Sequence, residues 1–111
     1  MKIWLDDDPI DNKGKRHRTA PEGFTHVHNL AELKELLEKT NDPIEVMSFD
    51  HDLGDWAEDG TELDGYYIIK WLAKNHLDRY PADVRVHSGN PIGAENIRTY
   101  DKNVRKHLLD N

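Results

Sequence analysis

Cysteine is absent from the chain, which removes a disulfide framework and thiolate chemistry together. Basic charge is also scarce: 15 Lys and Arg stand against 22 Asp and Glu, a formal net charge of −7. A surface that tracks a nucleic-acid backbone needs the opposite sign, so duplex nucleic acid is not expected as a partner. No apolar run reaches the length of a membrane span, and Met1-Lys2-Ile3-Trp4 leads straight into charge without a signal-peptide pattern. No membrane partner is therefore expected, and a cytoplasmic location is. Internal repeats, low-complexity segments and linkers are missing as well. What remains, in 111 residues, is one domain over residues 1–111 with a modest core.

Residues 2–6 read as a strand, with Ile3 and Leu5 on one face and Trp4 on the other, which suits a central, covered position. The strand ends in Asp6-Asp7-Asp8-Pro9, and three consecutive acids are expected at a solvated strand end. Lys13, Lys15, Arg16, His17 and Arg18 make the next stretch a basic loop, which either folds over a phosphate or stays solvated. A second strand is predicted at 24–28. Asn29 then stands as an N-cap, with Glu32 at the capping-box position and Leu30, Leu33, Leu36 and Leu37 as the helical stripe.

Residues 44–49 form the third predicted strand, ending in Asp50-His51-Asp52-Leu53-Gly54. An acidic loop at 55–64 precedes a helix expected from about Leu63 to Tyr80, closed by Pro81. Val84 and Val86 alternate with Arg85 and His87 in a fourth, edge strand. Asn90-Pro91 opens a last helix carrying Ile97, Tyr100, Val104 and Leu108. Strands joined by helices imply a mostly parallel sheet, and the expected strand order is 2-1-3-4. The one risk to that order is the first connection, where no helix is visible between strands one and two.

Open α/β sheets place their sites at the carboxyl ends of the strands. Those ends are here Asp6-Asp7, Asp50-His51-Asp52 and His87-Ser88. Asp6, Asp7, Asp50 and Asp52 are candidate ligands of a divalent cation, with Asp52 acting from behind the other three or through its carbonyl. Crowded carboxylates need a compensating charge, and Mg²⁺ (or Mn²⁺) is the expected cofactor because it takes oxygen ligands and keeps waters that a phosphate can displace. His51 and His87 are candidate proton-transfer groups, since phosphodiester cleavage needs a base for water and an acid for the leaving oxygen. The expectation is that they face each other across a phosphate, with Asp50 beside them. Ser88 and Asn90 could bind a phosphate oxygen, as could Arg16 and Arg18, and the start of the last helix would offer backbone N–H groups to an anion. Ser88 and Asn90 could equally be plain turn and cap residues. Trp4, Trp56 and Trp71 read as packing residues, and Trp56 could instead stack on a base.

In order along the chain, Asp6-Asp7, Asp50, Asp64-Gly65 and Ser88 resemble the site residues of receiver domains. The resemblance implies a receiver-like (flavodoxin-like) three-layer α/β domain with a four-stranded, mostly parallel sheet, truncated after the fourth helix of the receiver pattern. In receivers the first acidic pair binds Mg²⁺, the next aspartate accepts a phosphoryl group and the Ser/Thr contacts phosphoryl oxygens. The first crossover helix is missing here, as is the fifth strand with its phosphate-pairing lysine, and that departure argues against aspartyl-phosphate signalling.

A closer resemblance is to the cyclic-phosphate processing receiver domain family. It rests on Trp4-Leu5-Asp6-Asp7, Pro21-Glu22-Gly23, Ser48-Phe49-Asp50-His51-Asp52-Leu53-Gly54, Asp64-Gly65-Tyr66 and Val86-His87-Ser88-Gly89-Asn90-Pro91-Ile92-Gly93. The family tends to place an arginine just after the acidic pair, where this chain has Asp8; Arg16 or Arg18 is the replacement on offer. The resemblance implies hydrolysis or recognition of a cyclic phosphate of a nucleotide or an RNA end, by a phosphoesterase using a metal. The alternative is a non-catalytic, degenerate receiver that binds a nucleotide or a protein.

Overall fold

The computed structural model describes residues 1–8, 13–14 and 19–110, the last two of these by backbone alone. Four strands run as β1 (Lys2–Leu5), β2 (Phe24–Val27), β3 (Val46–Phe49) and β4 (Asp83–Val86), with α1 (Leu30–Lys39), α2 (Gly65–Asn75) and α3 (Pro91–Asp110) after the second, third and fourth. The sheet order is β2-β1-β3-β4 and every pair is parallel. The expected 2-1-3-4 order therefore holds, including the β1–β2 pairing, and the receiver-like α/β class holds with it.

The two sheet faces differ in chemistry. Register sets Leu5 beside Val27 and Phe49, and Ile3 beside Met47, on one face. These side chains join Leu33 and Leu37 of α1, Ile68, Ile69 and Leu72 of α2 and Ile97 of α3 in one buried cluster. Burying a side chain of this size contributes about 1.5–3 kcal/mol, so this helix-covered face supplies most of the cohesion. The opposite face sets Trp4 between His26 and Ser48, with Arg85 beyond. Among the described residues no helix covers it.

Local signals explain the element ends. Asn29 caps α1, its side chain accepting the Glu32 N–H at 2.9 Å. The Glu32 carboxylate reaches one residue further back than a capping box requires, accepting the His28 N–H at 3.1 Å and contacting the His28 ring at 2.8 Å. α2 stops at Asn75, short of the expected Tyr80, and a 3₁₀ turn follows over Leu77–Arg79. The chain has to swing back to β4 there, and Arg79 anchors the swing by donating to the carbonyls of Leu37 and Asp42. The stretch expected as an acidic loop is an ordered hairpin: Trp56 bridges Glu62, the Ala57 N–H donates to the Thr61 carbonyl, and the Leu63 N–H to that of Asp55.

Candidate functional site

β1 and β3 are neighbours at the middle of the sheet, so their carboxyl ends bring Asp6, Asp7 and Asp50 together. One ligand oxygen from each lies within 4.8 Å of the others. The solvated end expected for the acidic run is not what forms. Asp6 and Asp8 are each 1% exposed and Asp50 is 6% exposed. The reason is local: the Asp6 carboxylate turns back to accept the Asp8 N–H at 2.8 Å, with Asp8 in the left-handed region at φ 38°. Aspartate tolerates that conformation better than most residues. The Asp6 carbonyl is in turn held by His26 Nε2 at 2.7 Å. His26 is thus scaffold of the site itself.

Asp52 does not join the three. It is exposed, contacts His51 Nδ1 at 2.8 Å, and lies 3.4 Å from the Asn90 side-chain amide. His51 is bracketed by carboxylates, with Nε2 3.3 Å from Asp64. Its ring lies against the first turn of α3, where a Cβ on Gly93 would come within 2.3 Å of it. His51 therefore ties the β3 loop to the starts of both α2 and α3. Asp64, read in the sequence only as part of the family resemblance, caps α2 by accepting the Tyr67 N–H.

His87 sits elsewhere, on the sheet face opposite the core. Its ring stacks on Trp4 with centroids 3.7 Å apart and planes 7° from parallel. Nδ1 is 2.7 Å from Ser48 Oγ and Nε2 is 3.2 Å from Asp6 Oδ2. Only the His87 ring contacts the carboxylate cluster, at Asp6; His51 reaches it through its main-chain N–H, which donates to Asp50 at 2.9 Å, while its ring contacts Asp52 and Asp64. Ser48 was invisible as a site residue in the sequence, because it occupies an interior position of an apolar strand.

Ser88 and Asn90 shape the start of α3. Ser88 Oγ accepts the Asn90 N–H at 3.0 Å, and Asn90 Oδ1 accepts the Gly93 N–H at 3.0 Å. Asn90 is therefore the cap of α3, with its amide nitrogen turned to Asp52. Arg16 and Arg18 lie outside the described residues. A cavity of about 270 Å³ between α2 and α3, lined by Ala73, Leu77, Tyr100, Val104 and Leu108, is apolar and away from these groups.

An all-oxygen set with two buried members fits a hard divalent cation and suits neither zinc nor copper. When bound, such a cation supplies positive charge for phosphoryl oxygens. Asp6, Asp7 and Asp50 are the residues that would hold it. Among the described residues no helix is long and apolar enough to cross a membrane.

Set against known families, residues 1–103 match the model described as the cyclic-phosphate processing receiver domain. No curated protein and no solved structure matches the chain.

Proposed function

The chain belongs to the cyclic-phosphate processing receiver domain family, and from that premise we propose that it binds a cyclic phosphate of a nucleotide or an RNA end over Asp6, Asp7 and Asp50 and hydrolyses it. The observation that carries the reading is the convergence of those carboxylates within 4.8 Å at the ends of the two central strands. Three carboxylates so placed repel one another when ionised, and a cation between them would compensate that charge. Mg²⁺ or Mn²⁺ with an anionic phosphate resolves that conflict.

In the proposed reaction a water oxygen bonds to phosphorus, one ring P–O bond breaks, and the departing oxygen takes a proton. His87 serves that transfer, because its Nε2 faces the cluster while Ser48 and Trp4 hold the rest of the ring. His51 is the second proton-transfer candidate. The first turn of α3 adds little to phosphate binding, since Pro91 carries no N–H and the Gly93 and Ala94 N–H groups are accepted by Asn90. A general acid or base typically contributes about 10²–10⁴-fold, so His87→Ala should abolish most turnover with the fold intact.

One observation favours a second reading, a binding module without turnover: both His51 ring nitrogens already contact carboxylates. A panel of 2′,3′- and 3′,5′-cyclic mononucleotides and RNA ends with 2′,3′-cyclic phosphates, assayed with and without Mg²⁺ or Mn²⁺, separates the two. Linear monoester product formed only with the cation supports hydrolysis. Saturable binding without product supports the module. Neither binding nor product overturns both.

A further inference from the structure

Ser48 stands on β3 between two residues of the core, Met47 and Phe49, yet points to the opposite sheet face beside Trp4 and Arg85. It is 4% exposed. A buried hydroxyl without a hydrogen-bond partner costs roughly 1–3 kcal/mol, so this one has to be satisfied within the protein. The partner is His87 Nδ1 at 2.7 Å. Alanine in this place would pack as well in an apolar strand, so the hydroxyl calls for a reason other than cohesion.

The contacts at the far side of the ring supply one. Nε2 faces Asp6 Oδ2 at 3.2 Å, and an ionised carboxylate can only accept. The ring proton of a neutral His87 therefore belongs on Nε2. Nδ1 is then the acceptor, and the Ser48 hydroxyl is the donor. The indole of Trp4, 3.7 Å away and nearly parallel, holds the plane of the ring. The chain Ser48–His87–Asp6 spans β3, β4 and β1 and ends on a carboxylate of the cluster.

We infer that Ser48 is a positioning residue: together with Asp6 it holds the Nε2–H tautomer of His87 and, through His87, the orientation of the Asp6 carboxylate toward a bound cation. The first half stands on the geometry alone. The second half rests on the function proposed above. Groups that orient metal-binding side chains from behind typically change metal affinity by about 10–100-fold when removed.

The test uses the full chain with two readouts. Long-range ¹H–¹⁵N correlation spectra of the imidazoles at pH 8.5, where an ordinary imidazole is neutral, report the tautomer directly without metal or substrate. Wild type should show His87 as the Nε2–H form, Ser48→Ala a mixture, and Ser48→Thr the wild-type pattern. Calorimetry with MnCl₂ should show affinity about 10–100-fold weaker in Ser48→Ala and near wild type in Ser48→Thr. Matching circular dichroism spectra establish that the variants fold. A wild-type Nδ1–H tautomer, or a tautomer unchanged in Ser48→Ala, overturns the positioning role. Equal Mn²⁺ affinity in wild type and Ser48→Ala overturns the link to Asp6 alone. A wild type that binds no Mn²⁺ overturns that link together with the metal reading, while the tautomer result still decides the role of Ser48.

Discussion

At the scale of single residues, the candidate site is built at close quarters, and two substitutions read it in opposite directions. Asp50→Asn removes one charge from a buried, like-charged group. The apo protein should gain stability, by about 1 kcal/mol, while Mn²⁺ affinity falls at least tenfold. Chemical denaturation and calorimetry on the same samples check both halves; equal metal binding by the two proteins would remove the cluster as a cation site. Gly65→Ala should only destabilise. A Cβ there would sit 2.1 Å from the Asp50 carbonyl oxygen, at the point where the Gly65 N–H donates to the His51 carbonyl. Backbone on both sides cannot yield cheaply, and overpacking of this kind costs about 1–3 kcal/mol or more. Urea midpoints of wild type and variant give the answer. Glycine was readable here as part of a family stretch, but its neighbour was not: the approach of α2 to the β3 loop is a tertiary fact.

At the scale of elements, α1 offers a test of how a helix start is held. Losing an N-cap side chain typically costs about 1 kcal/mol, so Asn29→Ala should lower stability by that order, read as a shift of the denaturation midpoint. Glu32 adds a pH signature. Partial burial pulls its pKa upward, but the hydrogen bonds and charge from His28 outweigh that and hold the carboxyl below its ordinary value. A depressed carboxylate contributes stability that is present above its unfolded pKa and lost as pH falls through the folded one. The stability advantage of wild type over Glu32→Gln should therefore be level at neutral pH and close as pH drops below about 4.5. Melting curves from pH 7 to 3 show whether it does. Asn29 and the leucine stripe were plain in the sequence, because a cap and a 3.6-residue period are local signals. The early end of α2 was not, because Leu77 continues the apolar stripe and only the return path to β4 ends the helix. The hairpin around Trp56 was likewise hidden, its closing hydrogen bonds being main chain to main chain.

At the scale of the whole molecule, the alternation of strands and helices, with right-handed connections assumed, was enough to place β1 between β2 and β3 and so to bring residues 6, 7 and 50 to one sheet edge. Which histidine contacts which acid was not legible. That depends on the sheet face each side chain takes and on buried partners such as Ser48, which strand patterning marks only as inward. The same topology has a consequence in time. Every pairing within the four-stranded sheet is parallel, so each has to close a long loop before it gains contacts. Asp6, Asp7 and Asp50 meet only when β1 and β3 have paired across the long intervening stretch of chain, which should make the acidic cluster a late product of folding. A cation captured by that cluster would then find little to hold in the transition state. Stopped-flow chevrons with Mn²⁺ should show an unfolding arm that drops and a folding arm that stays where it was, so that the ion acts as a latch on the finished molecule; a faster folding arm would place the cluster in the nucleus instead.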